Sequence, residues 1–382
     1  MIMFKLYIFI LLYIILSGCV SNENQLTVQE EIFIDLHEIQ DRPFTASFEE
    51  LHYIFLKTRG EALGIITKLE MADHKILVAD QQNNALYIFD LDGNLIRKIY
   101  HYGKGVGEYI KISDFYYDSE NGFIVLLDRN QGKVIKYRLD GTLDSEILLP
   151  EGFYSKIYPI DQNRIALYAS NERLSEYNYK IIDSHTGLVK KEMMPIDLKK
   201  SRFLNFLTFS NFYSRDDEVL TYQVADQGMV YHIDQDTILA EYQIQFGDYT
   251  IPEEVLSSEF RDVGEFVDFI QDQYVYRLSN ICETDRHLLF GFHFRDAYYQ
   301  CIFDKSEKEY LLFTQILNDF NADITIEDKW EVSNNAFKGT YNNKVYGYFW
   351  PDVFLIDANS KMIANQMVTD QTNPIVYIGE LK

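Results

Sequence analysis

The chain has 382 residues, and its 59 acidic side chains outnumber its 35 Lys and Arg side chains, which gives a formal net charge of −24. So acidic a surface repels nucleic-acid backbones and anionic lipid headgroups, and we expect neither as a partner. With 47% hydrophobic and 25% charged residues the chain is expected to fold rather than to form a disordered acidic tail, and 3 cysteines are too few for a disulfide scaffold.

The N-terminus has the pattern of an export signal. Residues 6–16 are eleven apolar residues in a row after Lys5, too few to span a bilayer but typical of a signal-peptide core. The following Leu-Ser-Gly-Cys, ending at Cys19, resembles the lipobox of bacterial lipoproteins. We predict a lipoprotein signal peptide at residues 1–18, acylation (palmitate) of Cys19, and a lipid-anchored tether at residues 19–30. An ordinary secretory signal with a chance cysteine is the alternative.

A unit that recurs six times occupies residues 31–382, which we predict to be one domain. Each copy has a β-rich run, a polar loop, a second run that closes on Asp, a tight turn and a third run. From Asp90 to Asp357 the closing position advances by 48, 45, 51, 70 and 53 residues. Periods of about 40–50 residues with several short strands are typical of propeller blades. The pattern predicts an all-β fold, a six-bladed β-propeller, with a β-sandwich as the alternative.

The Asp that closes the second run is predicted to cap its own turn with its carboxylate. A ring of metal ligands is the alternative interpretation. In the second copy Arg138 takes the closing position and Asp140 follows it. The other copies place the residue at Asp90, Asp183, Asp234, Asp304 and Asp357.

The longest spacing leaves room for a short helical insertion between blades 4 and 5. Residues 252–274 carry apolar side chains at helical spacing, which predicts an amphipathic helix that packs on the propeller or, alternatively, covers a site as a lid. To close the ring, residues 52–58 are expected to form the outer strand beside the last copy, and residues 373–381 the last strand. Cys282 and Cys301 are predicted to be separated by a strand and to remain buried free thiols.

These features together resemble a known family. The lipobox, the six units, the strand-like run at residues 52–58 and the glycine run at residues 103–109 are similar to the six-bladed β-propeller lipoproteins of the Bacteroidetes type, which are related to NHL-repeat propellers. In that family the glycine run carries a proline where this chain has Val106. The resemblance implies a cell-envelope location, as an outer-membrane lipoprotein of unassigned side, and a binding role.

The glycine run does not indicate a nucleotide site, because it leads into a strand rather than a helix and lacks Gly-Lys-Ser/Thr. By analogy with other propellers we expect the ligand site on the face that carries the loops between second and third strands. Aromatic, amide and arginine side chains in these loops suit a sugar or peptide ligand. The candidate ligand-binding residues are Asn83, Arg129, Asn130, Arg295, Asp296, Tyr348 and Trp350.

The sequence favours a non-catalytic binding module for a glycan, a peptide or an envelope protein, without cofactor or metal, monomeric, and in contact with the membrane only through its lipid anchor. The alternative is a glycan-directed lyase or hydrolase at the channel mouth. It would use His101 or His293 as base and Arg129 or Arg295 to neutralise developing charge. An enzyme should gather these side chains in one pocket.

Overall fold

The computed structural model describes residues 28–40, 42–200, 202–207, 212–215, 218–223, 228–234, 237–317, 329–331, 336–355 and 360–382. The predicted signal peptide, Cys19 and the tether up to residue 27 lie outside the described residues, as does Asp357.

Strands dominate the described residues from end to end. The first fifteen are β1 (Glu30–Phe33), β2 (Arg42–Pro43), β3 (Phe48–Phe55), β4 (Ile66–Ala72), β5 (Lys75–Asp80), β6 (Ala85–Asp90), β7 (Leu95–Ile99), β8 (Asp114–Asp118), β9 (Phe123–Asp128), β10 (Lys133–Arg138), β11 (Leu143–Leu148), β12 (Lys156–Asp161), β13 (Arg164–Tyr168), β14 (Tyr177–Asp183) and β15 (Val189–Pro195). The next eight are β16 (Phe212–Arg215), β17 (Glu218–Gln223), β18 (Met229–Asp234), β19 (Thr237–Gln245), β20 (Tyr276–Glu283), β21 (His287–Phe294), β22 (Ala297–Asp304) and β23 (Glu309–Phe313). The last seven are β24 (Gln315–Leu317), β25 (Lys329–Glu331), β26 (Gly339–Tyr341), β27 (Lys344–Phe349), β28 (Ser360–Ile363), β29 (Gln366–Thr369) and β30 (Ile375–Leu381).

In the described part of the chain, six antiparallel sheets each contribute four strands to a ring. Five are meanders of consecutive strands, β4–β7, β8–β11, β12–β15, β16–β19 and β20–β23, and the sixth has the order β26-β27-β30-β3. Contacts between innermost strands pass from β4 through β8, β12, β16, β20 and β26 back to β4. The predicted six-bladed propeller is confirmed.

The middle strands are buried on both faces because each blade is covered by its two neighbours. In β6, Leu86, Tyr87, Ile88 and Phe89 are each 0% exposed. Successive side chains of a strand point to opposite faces, so Tyr87 and Phe89 pack towards one neighbouring blade and Leu86 and Ile88 towards the other. This explains why the second and third runs read as continuous apolar stretches rather than as an alternation.

The predicted capping role of the closing Asp is confirmed where its side chain is described. The Oδ1 atom of Asp90 accepts hydrogen bonds from the backbone N–H groups of Asp92 (3.0 Å) and Asn94 (2.7 Å). Asp183 and Asp304 make the same kind of contact, with the N–H groups two and three residues further on. Accepting these N–H groups lowers the pKa of Asp183 well below the usual value. Partial burial would raise the pKa of Asp304, but hydrogen bonds from Ser306, Arg286 and these N–H groups lower it well below the usual value. The side chains of Asp234 and Asp357 are outside the described residues.

The ring is closed by a strand from the N-terminal part of the chain. Strand β3 pairs antiparallel with β30 as the outermost strand of the sixth blade, with Ile54 opposite Val376. The predicted strand was residues 52–58; β3 begins four residues earlier, at Phe48, and ends three residues earlier, at Phe55. Strand β3 therefore covers the edge of β30 that would otherwise be open.

The sixth copy differs from the prediction in its third strand. The run before Asp357 was expected to continue the blade, but residues Pro351–Phe354 form a 3-10 turn, and β28 pairs with β29 as a separate hairpin. Pro351 has no N–H to donate to a sheet, which disfavours a strand there. Strand β30 is the third strand of the sixth blade instead and pairs with β27. Its apolar residues Ile375, Val376 and Tyr377 are each 0% exposed there, and this burial favours the arrangement.

Before β3 the chain runs along the outer edges of the ring. Strand β1 pairs parallel with β19, the outer strand of blade 4, and β2 pairs parallel with β24, which follows blade 5. Between them Ile39 forms a bridge with Leu312 in β23. These contacts cover strand edges that would otherwise be open to pairing with other chains.

The predicted helical insertion is two helices, α1 (Glu253–Leu256) and α2 (Val263–Gln271). Asp262 begins the second by accepting the N–H of Glu265 (3.0 Å), an ordinary N-cap. Phe266 and Ile270 are each 0% exposed and pack against the loop that precedes blade 4. In the described part of the chain, no helix combines the length and apolar character needed to cross a membrane.

The glycine run joins blades 1 and 2, and only one of its glycines needs the left-handed conformation. Gly107 has φ +70°. Its N–H donates to Glu146 Oε2 (2.8 Å), and its carbonyl accepts the hydroxyl of Tyr137 (2.6 Å). Gly105 instead lies against its own loop, with its N–H donated to Glu108 Oε2 (2.8 Å).

Both cysteines of the described residues are free and buried, as predicted. Cys282 lies on β20 and Cys301 on β22, with β21 between them. Burial raises the pKa of the Cys282 thiol to about 12, so the thiol stays protonated and unreactive.

Candidate functional site

The six innermost strands enclose a cavity of about 1190 Å³ on the axis of the ring. All six strands run in the same direction, since each is the first strand of its antiparallel four-stranded sheet to follow the preceding blade around the ring. We call the face at which they begin the entry face. The loops between second and third strands open on this face too, because a second strand runs back towards it. The loops chosen from the sequence therefore lie on one face of the propeller.

A cluster of charged side chains lies in the channel where β4, β8 and β12 meet. The Lys68 ammonium is 3.2 Å from Asp114 Oδ1 and 3.3 Å from Glu70 Oε2. Lys156 Nζ is 3.9 Å from the same Asp114 oxygen, beyond hydrogen-bond distance. The Asp114 side chain is 2% exposed, whereas those of Lys68 and Lys156 are about a quarter exposed to the channel.

The carboxylates of this cluster also join neighbouring blades. Asp114 Oδ2 accepts the backbone N–H of Ile157 (3.0 Å), and Glu70 Oε1 accepts that of Tyr117 (2.9 Å). Hydrogen bonds to a backbone N–H fix the orientation of each carboxylate. The cations of the channel are therefore arranged around acids whose positions are set by the fold.

The pKa values of the channel groups follow from burial and from this arrangement. Burial by itself would lower the pKa of Lys68, but Asp114 and Glu70 raise it above the usual value. Burial lowers the pKa of Lys156, and the nearby charges of Lys68 and Arg129 add to this effect against the attraction of Asp114. Burial raises the pKa of Glu70.

A third lysine reaches the cavity from the residue before β26. Lys338 Nζ donates to Asn280 Oδ1 at 3.4 Å, and no described carboxylate lies within ion-pair distance of it. Burial, and next the positive charge of Lys156, lower its pKa to about 8. Lys338 therefore carries its charge near neutral pH at a cost that a bound anion would remove.

Aromatic rings form another part of the cavity wall. Tyr348, at the end of β27, and Trp350, just beyond it, meet edge to face with ring centroids 6.2 Å apart. Across the channel Tyr158 packs against Phe212 at 5.9 Å. Tyr348 and Trp350 are the two sequence-predicted site residues that line the cavity.

The other five predicted residues lie in entry-face loops but outside the cavity wall. Asn83 holds its own turn by donating to Ala62 O (2.9 Å) and Asp80 Oδ2 (2.8 Å). The Arg129 guanidinium lies 5.0 Å from the ring centre of Phe153. Three further residues are exposed in these loops: Asn130, Arg295 and Asp296.

The histidines proposed as bases lie elsewhere. His101 is at the outer rim between blades 1 and 2, where its Nε2 is 3.0 Å from Gly141 O. His293 packs on Tyr276 and Tyr298 with centroid distances of 5.4 and 5.1 Å. Neither lines the axial cavity, and Arg129 and Arg295 do not either. In the described residues, no three His, Cys, Asp or Glu side chains converge as metal ligands.

Sequence reasoning missed the charged residues of the channel. The one signal for them is the alternation in β4, where Lys68 and Glu70 face the channel while Leu69 and Met71 are buried between blades (3% and 5% exposed). An innermost propeller strand presents every second residue to the axis. This alternation was available in the sequence, but the partners from other blades were not.

Six radial sheets around a lined axial cavity define the class of the protein, a six-bladed β-propeller. The sequence matches the family described as "Domain of unknown function (DUF4934)" over residues 32–380. The chain belongs to the DUF4934 family.

Two crystal structures of Bacteroides proteins are similar to this fold. A Bacteroides fragilis protein provisionally described as exported has a TM-score of 0.71 and 18% identity, and the match covers 92% of this chain and 99% of that one. A member of the DUF4221 family from Bacteroides vulgatus has a TM-score of 0.52 and 9% identity over 87% of this chain and 96% of that one. At these identities the likeness establishes the fold alone. No curated protein matches the sequence.

Proposed function

We propose that the protein is a cell-envelope lipoprotein that acts as a non-catalytic binding module, with its ligand site in the axial cavity open to the entry face. The ligand is a glycan, a peptide or a segment of an envelope protein, and the cavity favours a short glycan. The observation that carries the proposal is the cavity itself, about 1190 Å³ with Tyr348 and Trp350 beside three lysines. Flat rings with a few fixed polar groups are the usual lining of sugar sites.

The channel suits a small ligand better than a protein surface. A standard protein interface needs roughly 800 Å² of surface on each partner, which a concave axial cavity does not offer. An extended oligosaccharide can instead enter along the axis and place its ring faces against Trp350. A short peptide could enter the same way, and the first experiment separates the two.

A glycan and peptide array with the parent protein and the Trp350→Ala variant tests the site. Trp350→Ala should weaken binding at least tenfold, because stacking on the indole is lost. The exposed Phe33 (61% exposed), on the outer edge of blade 4, provides the matched control as Phe33→Ala. If Trp350→Ala binds like the parent, the ligand does not use this cavity.

The proposal of a lipid anchor rests on the lipobox that ends at Cys19. The similar Bacteroides fragilis protein is provisionally described as exported, which supports a location in the cell envelope. The eleven steps of chain from Cys19 to Glu30 reach at most about 40 Å, and they lead to β1 on the outer edge of blade 4. Labelled palmitate should be incorporated by the full chain and not by Cys19→Ser. Incorporation by both would refute the anchor.

One observation favours the alternative of a glycan lyase or hydrolase. Lys338 faces the cavity with its pKa lowered to about 8 by burial and by Lys156, which makes its amine a usable base near neutral pH. New reducing ends, or the absorbance of unsaturated uronates, would appear when the protein is incubated with the bound glycan. Products that disappear in Lys338→Met would establish catalysis; no products would leave binding as the function.

A further inference from the structure

The charges of the channel are separated along its axis. Lys156 is the first residue of β12 and Lys338 directly precedes β26, so both lie near the entry face. The acidic wall residues Asp118 and Asp161 are the last residues of β8 and β12, at the opposite end, and Glu120 lies just beyond. The entry half of the channel is therefore basic in a chain whose net charge is −24.

The acids of the entry half do not balance its cations. Lys68 lies between Glu70 and Asp114 at 3.3 and 3.2 Å, so these two carboxylates face three lysines in the cavity wall. Lys156 is left at 3.9 Å from Asp114, and among the described residues Lys338 makes a hydrogen bond to the neutral Asn280 at 3.4 Å and no ion pair. Lys156 and Lys338 are both partly buried in the wall of one cavity, and the charge of Lys156 adds to burial in lowering the pKa of Lys338. Such a pair of ammonium groups is a site for an anion.

The strand that carries Asn280 is distorted at this point. The pairing of β20 with β21 is interrupted twice, on either side of Ser279, and Asn280 has φ +50°. The Asn280 amide donates to Tyr298 Oη (3.2 Å), which directs its oxygen to Lys338. Bulges and left-handed residues other than glycine cost free energy and are concentrated where a fold re-aims a side chain for function.

We propose that Lys156 and Lys338 bind the anionic group of an acidic sugar, so that the ligand of the channel is an oligosaccharide carrying carboxylates or sulfate esters. This rests on the proposed function and specifies its ligand. Trp350 lines the same cavity and is only partly buried, so its indole can offer a ring face to a sugar, and the buried Tyr348 (2% exposed) supports it edge to face. The acidic far end repels a polyanion, so the chain enters from the entry face and stops in the channel.

The test is calorimetric binding of trigalacturonic acid and of its methyl ester, which has the same shape without the charges. A sulfated galactan tetrasaccharide and its desulfated form make up the second arm and identify which anion is preferred. In at least one arm the charged sugar should bind ten times more tightly than its neutral form. Equal affinities in both arms would overturn the proposal.

Lys156→Met and Lys338→Met keep the length of each side chain and remove its charge. Each should reduce binding of the charged sugar at least tenfold and leave the neutral form unchanged, and Lys338→Arg should restore much of the loss. Lys104→Met, an exposed lysine of the blade 1–2 loop, is the matched control. Charged-sugar binding that is unaffected by both Met variants would overturn the assignment.

A Met variant that is misfolded is recognised by a lowered urea midpoint. In that case the affinity of Lys338→Arg, which keeps the positive charge, decides whether the charge at this position is needed. Failure of this inference is distinguishable from failure of the proposed function. If the array finds neutral glycans or peptides that need Trp350 while anionic sugars are not preferred, the channel binds ligands but Lys156 and Lys338 do not select them.

Discussion

Asp114 Oδ2 accepts the backbone N–H of Ile157 at 3.0 Å, and this contact joins blade 2 to blade 3 inside the channel. The other oxygen of the same carboxylate lies 3.2 Å from the Lys68 ammonium, which belongs to blade 1. One buried side chain thus links three blades and sets the position of a channel lysine. Glu70 repeats part of the arrangement with Tyr117.

Replacing Asp114 with Asn should destabilise the protein. The variant can still accept the N–H of Ile157, but it leaves Lys68 and Lys156 without the nearest negative charge. Because Asp114 is 2% exposed and the lysines about a quarter exposed, we expect a loss of about 2 kcal/mol in the free energy of unfolding, below the full cost of breaking a buried pair. Urea denaturation measures it. The control is Glu120→Gln, which removes an exposed acid at the far end of the channel. Equal urea midpoints for Asp114→Asn and the parent would show that the Asp114 charge does not stabilise the fold.

His293 should make stability depend on pH in a defined window. Burial, and next the charge of Arg277, lower its pKa to about 4 from 6.5. The unfolded chain then binds the proton more readily, so the contribution is full above pH 6.5 and is lost as the pH falls towards 4. The whole shift corresponds to about 3 kcal/mol, and because the imidazole is only partly buried we expect a loss of about 2 kcal/mol. His293→Phe keeps the packing on Tyr276 and Tyr298 and should remove this part of the acid dependence in urea titrations between pH 7 and pH 4, whereas His185→Gln on the surface should not. An unchanged slope in His293→Phe would contradict the burial of a neutral imidazole.

The closing strand should carry a large share of stability. Phe48 in β3 is 4% exposed and contacts Phe44 and Tyr377, with centroids 4.9 and 5.8 Å away. Phe48→Ala should cost about 3–5 kcal/mol in the free energy of unfolding, as expected for a large core deletion. Glu49→Ala, on the exposed face of the same strand, should change it little. If thermal melts of both variants match the parent, β3 does not hold the ring closed.

Gly107 should tolerate no side chain. It has φ +70°, and a Cβ there would lie 2.8 Å from Leu143 Cδ2. Gly107→Ala should destabilise by about 1–2 kcal/mol from the left-handed backbone alone. Gly105→Ala is the control, because its backbone is not left-handed and its Cβ would meet only the end of the Glu108 side chain at 3.1 Å. Equal urea midpoints for the two variants would show that the loop adapts.

The blade count was predictable because each blade is a local unit. In blades 1 and 3 the four strands, their turns and the capping residue (Asp90 or Asp183) lie within about 40 residues. The repeat of this unit makes it visible in a single sequence. The closing strand was predictable for a related reason. A strand before the first blade has no partner near it in the sequence, and in a closed ring it can pair with the last blade. The sixth blade was assigned wrongly because a hairpin and a 3-10 turn interrupt it, and Pro351 was read as part of a strand.

The propeller, its closing strand and the buried free thiols could all be predicted from the amino-acid sequence. Only the tertiary structure brought together Lys68, Asp114, Lys156 and Lys338, which come from blades 1, 2, 3 and 6. The physical reason is that a blade is stabilised by neighbours in the chain, whereas the channel is made by one strand from each blade. No local pattern records which side chains meet on the axis, because the ring must close before they are within contact distance.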